Sequence, residues 1–304
     1  MKKIRKVNII GMGALGLLYG SRIVDSLGIN AVTYVMDSER YKKYKDQKFV
    51  CNGKEYAFQM AESKTAGIAD LIIVAVKGTG LESALDSIAD CVGEETILIS
   101  VLNGISSEEV LAARFGEDKL LYTVAQGMDA MKFGNELNYL QSGELRIGVT
   151  ITGKKDNLKS VENFLEETGI AYTEEANILY RVWSKFMLNV GVNQTCMVYN
   201  TTYSGALTAG EANRTMIAAM REVIAVANAE GIPLSEKDLN QYIAIIQTLN
   251  PEGIPSMGQD RINCKYSEVE MFAGTVLRLA KKHEIYAPTN EFLYQRVKEI
   301  EQEY

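Results

Sequence analysis

The chain has 304 residues, 47% of them hydrophobic and 23% charged, with a formal net charge of −7. That length accommodates two domains of ordinary size, and that apolar share is ample for packed cores. The acidic balance argues against nucleic acid as a partner while leaving room for a small basic pocket that takes an anionic ligand.

The basic start, Met1 to Lys6, precedes an apolar run of only Val7 to Ile10, too short for a secretory leader. That run reads as a first strand. Gly11-Met12-Gly13-Ala14-Leu15-Gly16 follows at once, and then a helical pattern from Leu17 to Leu27. Strand, G-x-G-x-x-G and helix in that order form a dinucleotide-binding arrangement. The first glycine permits a tight turn, the second lets backbone amides approach a pyrophosphate, and the third lets the helix pack closely on the strand. The next apolar run, 31–36, ends at Asp37, where a carboxylate would accept hydrogen bonds from the ribose hydroxyls of NAD. Arg40, close behind with Ser38, Lys42 and Lys43, would instead answer a 2′-phosphate. Asp37 or Ser38 before Glu39-Arg40-Tyr41 is also an ordinary helix N-terminus.

Asn52-Gly53 between short apolar runs predicts a tight hairpin. Further strand-like runs at 71–76, 96–101 and 120–125 alternate with amphipathic segments, which predicts a parallel sheet with crossover helices. The loops after two of them, Lys77-Gly78-Thr79-Gly80 and Leu102-Asn103-Gly104-Ile105, fall where such a sheet presents its ligand, so Lys77 and Asn103 are candidates to reach cofactor or substrate. Taken alone, Asn-Gly is merely a turn and Lys77 a solvated charge. Strand runs at 143–150 and 171–173 flank a helix over 159–167, and beyond about residue 175 strand signals vanish. Helical patterns follow at 176–200, 208–230, 235–249, 256–283 and 289–302, punctuated by Pro233, Pro251 and Pro288. The expected fold is therefore α/β, a Rossmann-like doubly wound sheet over 1–175, joined to an all-α domain over 176–304. No segment reaches the roughly 20 apolar residues of a membrane span, so no membrane partner is expected. Cys51, Cys91, Cys196 and Cys264 are scattered without metal-ligand spacing or a disulfide framework. No metal is expected, and a reducing cytoplasm is the simplest setting.

Lys185, Asn189 and Asn193 recur every four residues in an otherwise apolar stretch, which places an ammonium and two carboxamides on one side of a buried helix. Each amide buried without a partner costs about 1–3 kcal/mol, so something polar must face them. A substrate would serve, as would a neighbouring helix or a second subunit. Ser256 reads as a helix N-cap with Gln259 as its capping-box partner, or as a hydroxyl at a helix N-terminus that favours a carboxylate substrate. Glu268, on the flank of an apolar face containing Ile262, Val269, Phe272 and Val276, needs a cation, and Lys185 is the one to propose. The single histidine, His283, stands at a predicted helix end beside Lys281 and Lys282, a surface or capping position. A catalytic acid would then be lysine, tyrosine or a carboxylate.

Over nearly its whole length the chain resembles the ketopantoate reductases (2-dehydropantoate 2-reductases). The resemblance rests on Gly11 to Gly16, Ala75-Val76-Lys77, Leu102-Asn103-Gly104, and the helical pair Trp183 to Asn193 with Ser256 to Asp260 through Glu268. It implies reduction of 2-dehydropantoate to (R)-pantoate. In that role Lys185 is the general acid that protonates the C2 carbonyl oxygen, and Glu268 supports lysine and substrate. Asn189, Asn193 and Ser256 bind the keto acid, while Lys77 and Asn103 contact cofactor or lie between cofactor and substrate. With Met12, Ala14, Leu15, Asp37 and Arg40 joining the glycines, the implied cofactor is NADP(H), with NAD(H) as the alternative. The chain departs from the family pattern in four places. Asp37 replaces the arginine that members usually carry near this position for the 2′-phosphate, Gln194 rather than proline follows Asn193, Tyr203, which lacks the amide, falls near where some members have a substrate-binding asparagine, and Glu270 replaces an aspartate. Another small 2-keto acid, or a non-catalytic dinucleotide sensor, are the alternative readings. The expected partner is a small keto acid, with a homodimer left open.

Overall fold

The structure, a computed structural model, describes residues 2–150 and 154–304, so Met1 of the basic start lies outside the described residues. The chain divides into two compact units, Met1–Leu102 with Ser107–Ile178, and Asn103–Ser106 with Leu179–Tyr304.

The first unit runs β1 (Val7–Ile10), α1 (Ala14–Leu27), β2 (Val32–Val35), α2 (Ser38–Tyr44), β3 (Phe49–Cys51), β4 (Lys54–Tyr56), β5 (Gln59–Ala61), α3 (Ser63–Ala66), β6 (Leu71–Val74), α4 (Leu81–Ile88), β7 (Ile97–Ser100), α5 (Ser106–Phe115), β8 (Tyr122–Met128), β9 (Met131–Phe133), β10 (Glu136–Asn138), β11 (Ser142–Gly148), α6 (Lys155–Thr168) and β12 (Tyr172–Glu174). Its centre is a five-stranded sheet in the order β5-β2-β1-β6-β7, parallel throughout. β1, β6 and β7 are buried at every position, the mark of strands covered on both faces. Leu17, Leu18 and Ile23 of α1 and Val161, Phe164 and Leu165 of α6 belong to the same core. The strand order reverses about β1, so the loops after β1, β2 and β6 share the carboxyl end of the sheet, where open α/β sheets take ligands.

The run at 120–125 behaves differently from the parallel strand it was expected to be. It touches β7 through one parallel bridge, Leu98 with Leu120, and β8 then pairs antiparallel with β11. The returning strand reaches it from the opposite direction, so the parallel ladder stops there. Asn52 and Gly53 both take positive φ, 46° and 78°, and close the β3–β4 hairpin as a type I′ turn does. The pairing of β10 with β3 and β9 was not marked by the sequence.

The second unit is helical: α7 (Ile178–Tyr199), α8 (Tyr203–Leu207), α9 (Glu211–Ala229), α10 (Glu236–Gln247), α11 (Ser256–Ile262), a π-turn over Glu270–Gly274, α12 (Thr275–Lys282) and α13 (Pro288–Glu301). Phe186, Met187 and Val190 of α7 are buried, as are Met216 and Val223 of α9. α7 and α9 approach closely at Gly191, where a Cβ would lie 2.4 Å from Met220 Cγ.

The single helix expected over 256–283 is in fact interrupted. α11 ends at Ile262, Cys264 takes a left-handed φ of 48°, and helical structure resumes only after Glu268. That break carries Ile262 off the apolar face to 60% exposure, whereas Val269, Phe272 and Val276 remain buried. His283 follows α12 as its C-cap, with Nε2 2.6 Å from Glu230 Oε1. Burial pushes the Glu230 carboxyl up, but hydrogen bonds from Lys282 and His283 outweigh it and hold the group below its ordinary range.

Candidate active site

In the first unit the glycine loop is built around the end of β1. Gly11 adopts φ 105°, and a Cβ there would lie 2.4 Å from the carbonyl oxygen of Ala75. Only glycine fits both conditions. A Cβ on Gly16 would come within 2.0 Å of the Gly11 carbonyl oxygen, and that is how α1 starts so close to the strand it follows. Tyr34 Oη donates to the Gly16 carbonyl at 2.8 Å and fixes the turn from β2. Gly13 differs, for a Cβ there would meet only the Ala75 carbonyl oxygen, at an ordinary 3.7 Å. It is the exposed N-cap of α1, which has no side-chain cap and no acidic residue in its first turn. An uncapped N-terminus at exposed Gly13, with no tight contact over it and half-buried Met12, Ala14 and Leu15 beside it, suits a dinucleotide phosphate.

Asp37 is the N-cap of α2 and accepts from the Arg40 backbone N–H at 2.8 Å, while its second oxygen pairs with the Arg40 guanidinium. The amide hydrogen bond foremost, aided by the guanidinium, outweighs burial and lowers the Asp37 pKa. The ribose-type carboxylate and the phosphate-type guanidinium are thus engaged with each other at the surface. Lys77 is exposed and precedes the short turn Gly78–Gly80 after β6.

In the second unit Lys185, Asn189 and Asn193 project along one side of α7, Lys185 half-buried and the two asparagines each 7% exposed. Asn103 joins this unit through its loop. Lys185 Nζ donates to Asn103 Oδ1 at 3.1 Å, and Asn103 Nδ2 donates to Glu268 Oε2 at 3.2 Å. The Asn103 carboxamide therefore bridges cation and carboxylate, its oxygen toward the ammonium and its NH2 toward the acceptor, the one orientation that satisfies both. Asn193 Nδ2 reaches Ser256 Oγ at 3.4 Å. The Asn189 side chain makes no hydrogen bond among the described residues, although it is buried.

Ser256 is not the helix cap that was expected. Pro255, with φ −67° and ψ 169°, occupies the N-cap position, and Gln259 Nε2 donates to the Ile254 carbonyl instead of completing a capping box. The proline ring presets the entry, so Ser256 is already helical and its hydroxyl faces Asn193 rather than a backbone amide.

Matches to known proteins cover both units. The family model "Ketopantoate reductase PanE/ApbA" fits residues 7–150, and "Ketopantoate reductase PanE/ApbA C terminal" fits residues 177–301. The chain belongs to the ketopantoate reductase family. A 2-dehydropantoate 2-reductase of Lactococcus lactis subsp. lactis is 25% identical over 303 residues, covering 96% of each chain. Among solved structures, a D-mandelate dehydrogenase in complex with NADH superposes with a TM-score of 0.87 at 23% identity, over 98% of this chain and 99% of that one. A dimeric ketopantoate reductase from Staphylococcus aureus gives 0.80 at 21%, again over 98% and 99%. These are oxidoreductases, and the two-domain fold of this family member is theirs.

Asn103 is expected from the sequence to contact cofactor or substrate, but its bridging position is not marked there, because its partner Glu268 is 165 positions away. Among the described residues no helix is long and apolar enough to cross a membrane, and no group of His, Cys, Asp and Glu is placed to hold a metal ion.

Proposed function

We propose that this family member reduces 2-dehydropantoate to (R)-pantoate, with NADPH preferred, as a cytoplasmic step of pantothenate biosynthesis. The observation that carries the reading is the Lys185–Asn103–Glu268 chain. A reduced nicotinamide dinucleotide supplies the hydride, and the glycine loop of α1, with Lys77, Asp37 and Arg40, is where this chain would hold it. Hydride addition to a ketone leaves charge on the carbonyl oxygen, and the Lys185 ammonium stabilises that charge and delivers a proton to the C2 oxygen. Lysine suits the task better than arginine because it can give the proton up. Asn103 holds the ammonium in place and passes the support of Glu268 to it. Asn189, whose amide makes no hydrogen bond among the described residues, and the Asn193–Ser256 pair bind and orient the keto acid. A sensor that only bound dinucleotide would need none of these groups.

The deciding assay follows loss of reduced-nicotinamide absorbance with a panel of 2-keto acids, and turnover of none of them sinks the proposal. A second reading, another 2-keto acid, is favoured by Tyr203, whose ring packs over Gly253, three residues before Ser256. Faster turnover of an aryl or longer-chain keto acid than of 2-dehydropantoate would select it.

Two expectations concern binding. Reduced dinucleotide should bind with low- to mid-micromolar affinity, about −7 to −8 kcal/mol, NADPH ahead of NADH. Calorimetry showing NADH at least about tenfold tighter, a difference of about 1.4 kcal/mol, reverses the cofactor preference. Asn193→Ala and Ser256→Ala should each raise KM for the keto acid with little change in dinucleotide affinity. Loss of dinucleotide binding with an unchanged KM would remove both residues from the substrate site.

A further inference from the structure

One residue past Asn193 lies a buried carboxamide that the reaction as described does not use. Gln194 of α7 is fully buried, its Nε2 donating to the Val190 carbonyl at 2.8 Å and its Oε1 accepting from the backbone N–H of Ala273 at 3.1 Å. Ala273 sits in the π-turn. In an α-helix the Val269 carbonyl would take the Ala273 N–H, but here it accepts from Gly274 at 3.0 Å, a five-residue step. The ladder widens where the Gln194 side chain enters it, a recognised cause of such distortions.

The same turn governs the proton-donating group from two sides. Two residues before it, the carbonyl of Glu268 accepts from the N–H groups of Met271 and Phe272, both within the turn, at 2.9 and 3.2 Å. Met271 packs on the loop that carries Asn103. Ser106 Oγ donates to its sulfur at 3.5 Å, and its carbonyl oxygen lies 3.2 Å from where a Cβ on Gly104 would stand.

We propose that Gln194 is a positioning residue for the reaction: by capturing the Ala273 amide it holds the π-turn open and so sets Glu268 and Asn103 in register with Lys185. The proposal rests on the reading of Lys185 as the proton donor. Closing the turn to an α-helix would rotate the preceding residues by about 100° and swing the Glu268 carboxylate away from Asn103.

The test compares two variants of the full chain. Gln194→Met keeps length and approximate volume but removes the acceptor, whereas Gln194→Glu in its neutral form keeps a carbonyl for Ala273 and an O–H for Val190. With Gln194→Met, kcat should fall about tenfold to a hundredfold, as small misplacements of reacting groups do, while KM and dinucleotide affinity hold within about threefold. The Ala273 amide should exchange faster with solvent deuterium. Gln194→Glu should recover most of the lost turnover and the slow exchange. Gln194→Met with parental kcat overturns the proposal. So does a joint loss of kcat, KM, dinucleotide affinity and melting temperature that Gln194→Glu does not repair. Should Gln194→Met fail to fold, Gln194→Glu decides alone: folded with Ala273 protected and turnover kept supports the role, and folded with turnover lost refutes it. A parent chain that reduces no 2-keto acid sinks the function reading, whereas an active parent with an unaffected Gln194→Met sinks this inference only.

Discussion

Lys185→Ala should lower turnover of 2-dehydropantoate about 10²–10⁴-fold, the usual range for losing a positioned acid. Dinucleotide affinity and the melting temperature should change little, because the glycine loop and Lys185 belong to different units. Glu268→Ala should be milder, since in the proposed mechanism its carboxylate supports the lysine, with which it shares Asn103, rather than giving the proton itself. The double variant should lose less than the sum of the two, because groups that act as a unit are not additive. Asn103→Ala completes the series, and by removing the bridge it should approach Glu268→Ala in severity. A folded Lys185→Ala protein that binds dinucleotide and turns over the keto acid within about threefold of the parent contradicts general acid catalysis by this residue.

What could be seen in advance, and what could not, follows from the range of the signals. The Rossmann-like half was legible because β1, β6 and β7 are short runs that are apolar except for Asn8 and Ser100, and the glycine triplet stands between the first strand and its helix, all local features. The stripe of Lys185, Asn189 and Asn193 was legible for the same reason, since four-residue spacing on one helix needs no tertiary knowledge. The break between α11 and the π-turn was not, because apolar residues at 262, 269, 272 and 276 satisfy a helical period across it. What ends α11 is a left-handed Cys264, a conformation that non-glycine residues adopt rarely and that cysteine does not advertise. Ser256 misled similarly. Serine followed three residues later by glutamine is a fair capping signature, and only the proline just before it moved the boundary by one residue. The pairing of Asn103 with both Lys185 and Glu268 joins three distant segments, so no window of sequence contains it.

The glycines of the α1 loop separate binding from folding, and two alanine substitutions should show it. Gly16→Ala puts a Cβ about where the Gly11 carbonyl oxygen stands, at 2.0 Å, so α1 must move away from β1. The two atoms it would crowd, the carbonyl oxygen and carbon of Gly11, are backbone, which cannot rotate aside as a side chain would. Overpacking of this kind typically costs about 1–3 kcal/mol and sometimes more, and the displaced helix N-terminus should lose dinucleotide affinity as well. Gly13→Ala meets only the Ala75 carbonyl oxygen, at 3.7 Å, from a backbone conformation, φ −74° and ψ −172°, that alanine adopts freely. Its melting temperature should stay near the parent's, with no more than about 1 kcal/mol lost for a poorer N-cap. Yet the added methyl occupies the space through which a pyrophosphate would approach the α1 amides, so dinucleotide affinity should fall by about tenfold or more. Thermal melting and calorimetry on the two variants give the contrast directly. If Gly13→Ala binds reduced dinucleotide as tightly as the parent, the phosphates do not sit on the α1 N-terminus, and the cofactor site has been assigned to the wrong loop.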